Sequence, residues 1–318
     1  MSMNDRVAII GAGWAGCASA VEAIDNGFDV TLFEASRIPG GRARKTVIEG
    51  MTLDNGQHIL LGAYSKTLQM MAQVGIDTDA AFLRLPLQMH YPPLSGAMNF
   101  ETPRLPAPLH LAVGLFKTKG LAWEDKIALA RFFTACRHIR WDIGTDRPLV
   151  RLLEQFWQTP RLYGLLWRPL CMASMNTTPE KASAQVFLSI LKDSLGARRH
   201  ASDMLLPKMD LSAIFPEKAI DHLTRHGGKI RMGETVRELD HDETGWTVNG
   251  DGNQRYDAVI VATSAAGAAS LLKDKIDVSL LSQFEFEPIS TCYLKYPESV
   301  RLDRPFYALT DNPDKKEW

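Results

Sequence analysis

Four residues near the start of the chain have the types and spacing to hold a dinucleotide. Gly11-Ala12-Gly13-Trp14-Ala15-Gly16 follows the apolar run 6–10, and Glu34 closes the next apolar run, 29–33. The order strand, glycine turn, helix, strand, acid is what a dinucleotide fingerprint requires. Gly11 serves the tight turn, Gly13 lets the backbone approach a pyrophosphate, and Gly16 lets the helix pack close to the strand. The helix that opens there points its first amides at the anion. Ala12, Ala15 and Ala35 flank these positions and count among the expected cofactor contacts. Glu34 lies about 20 residues on, where a carboxylate accepts from ribose hydroxyls. An acid at that place disfavours a 2′-phosphate, so NADP is the least expected ligand, while NAD and FAD share the motif.

A second glycine turn, Arg37-Ile-Pro-Gly40-Gly41-Arg42, comes directly after the acid. Read alone, Arg37, Arg42, Arg44 and Lys45 also fit a solvated basic loop. The Gly40-Gly41-Arg42 run resembles the glycine-doublet signature of the amine oxidase and phytoene desaturase flavoproteins. That resemblance implies FAD rather than NAD, with the doublet and its arginine beside the diphosphate. Lys45 stands where those proteins usually carry a hydroxyl residue, with Thr46 one place later.

Three further stretches extend the likeness. Residues 54–64, beginning Asp54-Asn-Gly56-Gln57-His58, look like the segment of the desaturase superfamily that returns beneath the flavin ring. Residues 166–187 and 205–216 resemble one subgroup, the bacterial hydroxysqualene dehydroxylases. The resemblance implies reductive dehydroxylation of hydroxysqualene to squalene for hopanoid synthesis, a hydride from reduced FAD replacing a hydroxyl lost as water. The leaving oxygen needs a proton. His58 is the first candidate to give it and Asp54 the second; His58 equally fits a role packed or hydrogen-bonded under the flavin. By the same resemblance Val236 reads adenine through its backbone, or is an ordinary strand valine. Thr263 lies near the cofactor, or simply caps a strand end. Two rival readings share the fold: a phytoene-type polyene desaturase, and a non-catalytic carrier of prenyl lipids that uses no flavin.

The elements that must position these residues read as α/β. The expected fold is a Rossmann-like, glutathione-reductase-type FAD domain with a helical substrate domain inserted. The FAD domain takes residues 1–75 and 209–275, and the substrate domain 76–208 and 276–318. Helices are predicted near 66–75, 124–141, 148–157, 179–195 and 215–226, the last with Pro216 in its first turn. Prolines at 86, 92, 93, 103, 106 and 108 break the start of the insertion. Strands are expected at 229–232 and 235–239, then a hairpin of 246–249 and 254–256 around Gly250-Asp-Gly252, and a buried strand over 256–263. The chain stops just after a strand-like run at 304–310, which predicts a C-terminal truncation, since members of the subgroup continue further.

With 36 basic and 37 acidic residues the formal charge is −1, which gives no general reason to expect nucleic acid. Cys17, Cys136, Cys171 and Cys292 show no CxxC or metal-ligand spacing, so reduced thiols and no metal are expected. No cleavable signal fits the start, and the longest uncharged stretches fall short of a membrane span. A cytoplasmic protein is predicted. A C30 hydrocarbon dissolves in bilayers, so contact with the inner face of the membrane is expected. Residues 105–116, with Lys117 and Lys119 behind them, carry an apolar stretch with a basic edge; a proline-started core helix is the alternative. Arg198-Arg199-His200 with Lys208 fit lipid headgroups or a solvated face. No motif names the electron donor.

Overall fold

The computed structural model describes residues 5–92, 98–297 and 299–309; Pro93 and the end of the chain from Thr310 lie outside the described residues. In chain order the elements are β1 (Arg6–Ile10), α1 (Trp14–Asp25), β2 (Asp29–Glu34), β3 (Lys45–Ile48), β4 (Met51–Asp54), β5 (Leu60–Leu61), α2 (Ser65–Gln73), α3 (Thr78–Ala81), β6 (Phe82–Leu85), β7 (Gln88–His90) and β8 (Asn99–Glu101). Next come α4 (Leu109–Lys117), α5 (Trp123–His138), α6 (Leu149–Gln155), α7 (Pro160–Leu162), a π-helical segment (Tyr163–Trp167), α8 (Arg168–Met175), α9 (Ala184–Ser194), a 3-10 turn (Arg199–Ser202) and β9 (Met204–Pro207). The remainder holds α10 (Pro216–Arg225), β10 (Lys229–Met232), β11 (Leu239–Asp242), β12 (Gly245–Val248), β13 (Ala258–Val261) and α11 (Ala265–Leu272).

The chain divides into two units. Unit 1 is Met1–His58, Ser65–Leu83 and Pro207–Thr291; unit 2 is Ile59–Tyr64, Arg84–Leu206 and Cys292–Trp318. Against boundaries drawn at 75, 209 and 275, unit 1 takes in 76–83, 207–208 and 276–291 and gives up 59–64. Residues 76–83 carry α3, whose N-cap Asp77 accepts the Asp79 and Ala80 amides at 3.0 and 3.2 Å.

Unit 1 is built on a parallel sheet in the order β10-β2-β1-β13. Ile10 registers against Phe33 on one side and Val261 on the other, and Glu34 registers against Met232. Val7–Ile10 and residues 30–33 are buried, as central parallel strands covered on both faces require. Sequence order reverses at β1, whose neighbours are β2 and β13, so the crevice for a ligand opens at the carboxyl ends of these strands. α1 buries Gly16, Cys17, Ala20 and Val21. α10 starts at Pro216 and buries Ala219, His222 and Leu223, a stripe at helical spacing that packs on α1.

Two strand expectations are corrected here. Residues 235–239 form no ladder before Leu239, because the Asn249 side chain takes their backbone groups. The hairpin is instead β11 with β12, Leu239 opposite Val248 and Asp242 opposite Gly245. What was expected as a 246–249/254–256 ladder is reduced to one antiparallel bridge, Trp246 with Tyr256.

Unit 2 centres on aromatic packing among α5, α9 and the π-helical segment. The Phe132 and Trp167 rings lie 4.7 Å apart, and Trp167 and Phe187 6.1 Å apart. Fully buried Trp167 donates its indole N–H to Gln158 Oε1 at 3.0 Å. α9 begins at Ala184 rather than 179, because Ser183 caps it by accepting the Val186 amide at 3.0 Å. Leu60 and Leu61 pair antiparallel with Leu205 and Met204. The strand expected at 304–310 is absent from 304–309, where the Ala308 amide donates to the His90 carbonyl at 2.8 Å.

Candidate functional site

The two glycine turns meet. Gly13 and Gly40 form a parallel bridge, and the Gly40 amide donates to the Ala12 carbonyl at 2.7 Å. A Cβ on Gly41, held at φ +61°, would stand 3.1 Å from the Gly13 Cα. On Gly16 it would lie 1.8 Å from the Gly11 carbonyl oxygen, and on Gly11, at φ +104°, 2.9 Å from the Ala262 carbonyl. These are close backbone approaches that a side chain would fill. α1 begins with Gly13 as its N-cap, without a side-chain cap and without an acid in its first turn. Its first amides, Ala15 and Gly16 included, therefore keep donor capacity for an anion. Thr263 follows β13 against this turn: its Cγ2 would sit 3.6 Å from a Gly11 Cβ, while Ser264 caps α11.

Glu34 ends β2 beside the turn. Its Oε2 accepts the Ala12 amide at 2.7 Å and its Oε1 the Ser36 amide at 2.8 Å. A carboxylate has about four acceptor sites, so two remain for hydroxyl donors. Ala35 is exposed between them. The Glu34 carbonyl accepts the Glu234 amide at 2.9 Å, which ties the Val236 segment to the same strand end. Val236 packs against the cluster of Ile10, Phe33, Leu239 and Tyr256. Asn249, in the left-handed region at φ +53°, brackets it: Oδ1 accepts the Arg237 amide at 2.8 Å and Nδ2 donates to the Thr235 carbonyl at 3.0 Å. The hydrogen bonds of this turn thus fall on both neighbours of Val236 and pass over its own amide and carbonyl. Asn249 was not singled out from the sequence; the Asn249-Gly250 pair was its one local signal.

The 54–58 segment hangs from the same loop. Asn55 donates from its amide to the Arg44 carbonyl at 2.8 Å and from Nδ2 to the Arg42 carbonyl at 3.0 Å, while the Arg42 side chain is exposed. Gly56 adopts φ +86°, and His58 Nδ1 lies 3.1 Å from the Gly56 carbonyl. In that contact Nδ1 is the donor, since a carbonyl only accepts. Gln57 and His58 are exposed. Asp54 accepts the Leu211 amide on Oδ1 at 2.8 Å. Burial raises its carboxyl above the ordinary carboxylate range, the Asp210 charge adds to this, and the Leu211 bond and His58 oppose it. The surroundings of Asp54 thus favour its protonated form.

Other groups divide differently. Cys17 is buried behind the turn, its thiol pushed up to about 12 by burial and by the Glu34 charge, which makes it inert; Cys136 and Cys171 are buried too, and Cys292 is exposed. In unit 2, Arg199 pairs with buried Asp203 at 3.0 Å, so one member of the 198–200 basic run is structural. α4 buries His110 and Gly114 yet exposes Leu109 and Phe116. Among the described residues no helix is long and apolar enough to cross a membrane. A cavity of about 480 Å³ is lined by His90, Glu101, Lys117, Lys119 and Arg304; so charged a lining does not suit a hydrocarbon. Tyr163, at the start of the π-helical segment, hydrogen-bonds Glu180, and Arg168 lies 3.9 Å from the same carboxylate. Arg168 and Glu180 of this cluster fall within 166–187 and Tyr163 just before it; the three were not foreseen as a unit.

Comparison with known proteins places these features in context. The profile of the flavin containing amine oxidoreductase family matches residues 14–317. The hydroxysqualene dehydroxylase of Sinorhizobium fredii is 27% identical over 320 residues, which cover 95% of this chain and 70% of that protein. A zeta-carotene desaturase of Synechocystis is 28% identical over 272 residues, covering 80% of this chain and 53% of the desaturase. Among solved structures, an oxidoreductase from Methanosarcina mazei is similar with a TM-score of 0.61 at 16% identity, over 86% of this chain and 63% of that one. That last likeness is one of fold.

Proposed function

The chain belongs to the flavin containing amine oxidoreductase family, and from that premise we propose that it removes the allylic hydroxyl of hydroxysqualene reductively, giving squalene and water. The observation that carries this reading is the 27% identity to a hydroxysqualene dehydroxylase across 95% of the chain. The cofactor is FAD, which when bound supplies a hydride. The residues fit it. Gly11, Ala12, Gly13, Ala15 and Gly16 would hold the diphosphate with Gly40, Gly41 and Arg42. Glu34 and Ala35 would take the ribose and the Val236 backbone the adenine. Gly56, Gln57 and His58 would serve the flavin end, and Thr263 the edge of the phosphate turn.

In the reaction the carbon–oxygen bond breaks as its oxygen takes a proton, and a hydride forms the new carbon–hydrogen bond. Two electrons and two protons enter and one water leaves. The task of this chain is to deliver the proton and keep bulk water away from the allylic cation. Asp54 carries the proton: its carboxyl is held protonated to higher pH than usual, and the Leu211 amide fixes its orientation. His58, with Nδ1–H turned to the Gly56 carbonyl, orients rather than protonates. Substrate reaches the protein from a membrane through the exposed apolar edge of α4 and α5.

The test is anaerobic incubation of the reduced, FAD-loaded protein with hydroxysqualene. One squalene formed per flavin reoxidised is expected; reoxidation without squalene sinks the reading. A second reading, oxidative desaturation of a polyene, is favoured by the identity to zeta-carotene desaturase. It predicts that oxidised protein inserts a double bond and that reduced protein leaves hydroxysqualene untouched. A protein that takes up no FAD at all would be a prenyl-lipid carrier.

A further inference from the structure

At the opposite end of α1 from the phosphate turn, three metal-ligating side chains converge. Asp25 is the last residue of α1, and His222 and His226 stand one turn apart at the end of α10. One ligand atom from each lies within 4.8 Å of the others. His222 Nε2 is 2.6 Å from Asp25 Oδ1, and the two imidazoles stack with centroids 4.2 Å apart and planes 31° apart.

We propose that Asp25, His222 and His226 form a binding site for a divalent transition-metal ion of borderline softness, Zn²⁺ above all, that clips α10 to α1. The donor set is two imidazoles and a carboxylate, which suits zinc and the neighbouring late transition metals better than magnesium or calcium. Tetrahedral coordination at 2.0–2.1 Å bonds needs ligand atoms about 3.3 Å apart. The closest pair, His222 Nε2 and Asp25 Oδ1, must therefore open by less than an ångström, and the ligand atoms of the other pairs lie within about 1.5 Å of that spacing.

The surroundings are already those of a metal site. His226 Nδ1 donates to the His222 carbonyl at 2.8 Å, which fixes its tautomer and leaves Nε2 as the lone-pair nitrogen. The second Asp25 oxygen, Oδ2, accepts from Gln73 Nε2 at 2.5 Å, so the carboxylate is held by an outer partner as ligating carboxylates are. Both helices end here, and the partial negative charge of a helix C-terminus favours a cation. His222 is buried, while Asp25 and His226 reach solvent, which gives the ion a path in and a water for its fourth position. α1 has 12 residues, so the site lies roughly 18 Å from the phosphate turn. Its role is structural, and it does not enter the flavin chemistry. The histidines stand at i, i+4 on one helix, but their carboxylate comes from 197 positions away.

The experiment uses the full chain, FAD-loaded, made without a histidine tag and stripped with chelator. Titration with Co²⁺ is followed by its ligand-field bands, which lie to the red of flavin absorption, and Zn²⁺ by the melting temperature. One ion per chain, a raised melting temperature and unchanged flavin absorbance are expected. His226→Gln, at an exposed position, should fold as the parent does and bind roughly tenfold or more weakly, with Asp25→Asn behaving alike and Cys292→Ser binding normally. Absence of cobalt bands from the parent chain, equal binding by His226→Gln, or loss of binding in Cys292→Ser alone would each overturn the assignment.

Discussion

The carboxylate of Glu34 accepts the Ala12 amide at 2.7 Å, so the acid that would read the ribose also braces the glycine turn that would hold the phosphates. Its other oxygen accepts the Ser36 amide, which ties the start of the following loop to the same carboxylate. Ribose recognition and turn geometry thus share one charge. Glu34→Gln keeps the size but removes the charge and turns one acceptor into a donor facing an amide. A charge-assisted hydrogen bond contributes about 1.5–3 kcal/mol, so FAD affinity should fall roughly ten- to hundredfold. Equilibrium titration of the stripped protein reads this directly, and affinity within a factor of two of the parent would remove Glu34 from the site.

Gly41 predicts a loss of cofactor with little loss of fold. At φ +61° an added Cβ would stand 3.1 Å from the Gly13 Cα, so Gly41→Ala pushes the two turns apart on the surface the diphosphate would occupy. A left-handed non-glycine residue costs on the order of 1–2 kcal/mol, which a two-unit chain tolerates. The variant should melt within a few degrees of the parent yet purify without flavin colour. Gly16→Ala is the harsher control: its Cβ would overlap the Gly11 carbonyl, and soluble protein should be lost.

The strand–turn–helix of residues 6–25 was legible in the chain because each glycine answers a local backbone demand, and local demands survive in sequence. The approach of Gly41 to Gly13 was inferable only through the resemblance, since 28 residues separate the two positions and nothing in their spacing states a contact. The expected strand at 235–239 failed because a single side chain, Asn249, outcompeted a ladder for the backbone of Thr235 and Arg237; propensity does not see such tertiary competition. The π-helical turn at 163–167 was missed for a related reason. It places Trp167 in the aromatic core, where burial of the indole outweighs regular helical hydrogen bonding. For the proton donors, the likeness of the 54–58 segment to one that lies beneath a flavin singled out both His58 and Asp54, while the burial of Asp54 beside Asp210 is a tertiary fact that the sequence does not state.

Asp54 gives the pH dependence. Its folded pKa lies above the ordinary 3.8, chiefly through burial and then through the Asp210 charge. The protonated form is therefore the one the fold favours. That stabilisation is complete below the unfolded pKa and is lost as pH rises through the folded value. Squalene formation should fall along the same limb as the acid ionises. Asp54→Asn preserves the acceptor for the Leu211 amide but cannot donate a proton to an oxygen as an acid does. It should hold FAD normally, lose this fall with rising pH, and turn over roughly 10²- to 10⁴-fold more slowly. A variant with parental turnover and an unaltered pH profile would move the proton to another group.

Asn249 should control the adenine end alone. Its side chain holds Thr235 and Arg237 while Val236 offers its backbone between them, so Asn249→Ala releases the turn without touching the phosphate cradle. Two hydrogen bonds at about 1 kcal/mol each set the scale. ADP, which carries the adenine half, should compete for the site several- to about thirtyfold less well, and kcat at saturating FAD should stay near the parent value. A change in kcat with ADP affinity intact would show that the turn acts elsewhere.

The α4–α5 edge of unit 2 carries the membrane prediction. Phe116 and Trp123 are 65% and 64% exposed, their rings 5.7 Å apart. Lys126 lies over the Trp123 ring at 5.2 Å and donates to the Phe116 carbonyl at 2.8 Å. Ile127, Lys117 and Lys119 are exposed on the same two helices and the link between them, so exposed apolar side chains share this stretch with ammonium groups that would meet lipid phosphates. Burying a large apolar side chain contributes about 1.5–3 kcal/mol, and each 1.4 kcal/mol is tenfold in partition. The double variant Phe116→Ser/Trp123→Ser should therefore lose at least roughly a hundredfold in binding to vesicles of mixed neutral and anionic phospholipid. The lysine contribution weakens with added salt and the aromatic one does not. Turnover should drop when substrate is presented in vesicles and recover when detergent delivers it, because the chemistry at Asp54 is untouched. Unchanged co-sedimentation of the double variant would mean that this edge faces water or another protein surface, and that hydroxysqualene enters elsewhere.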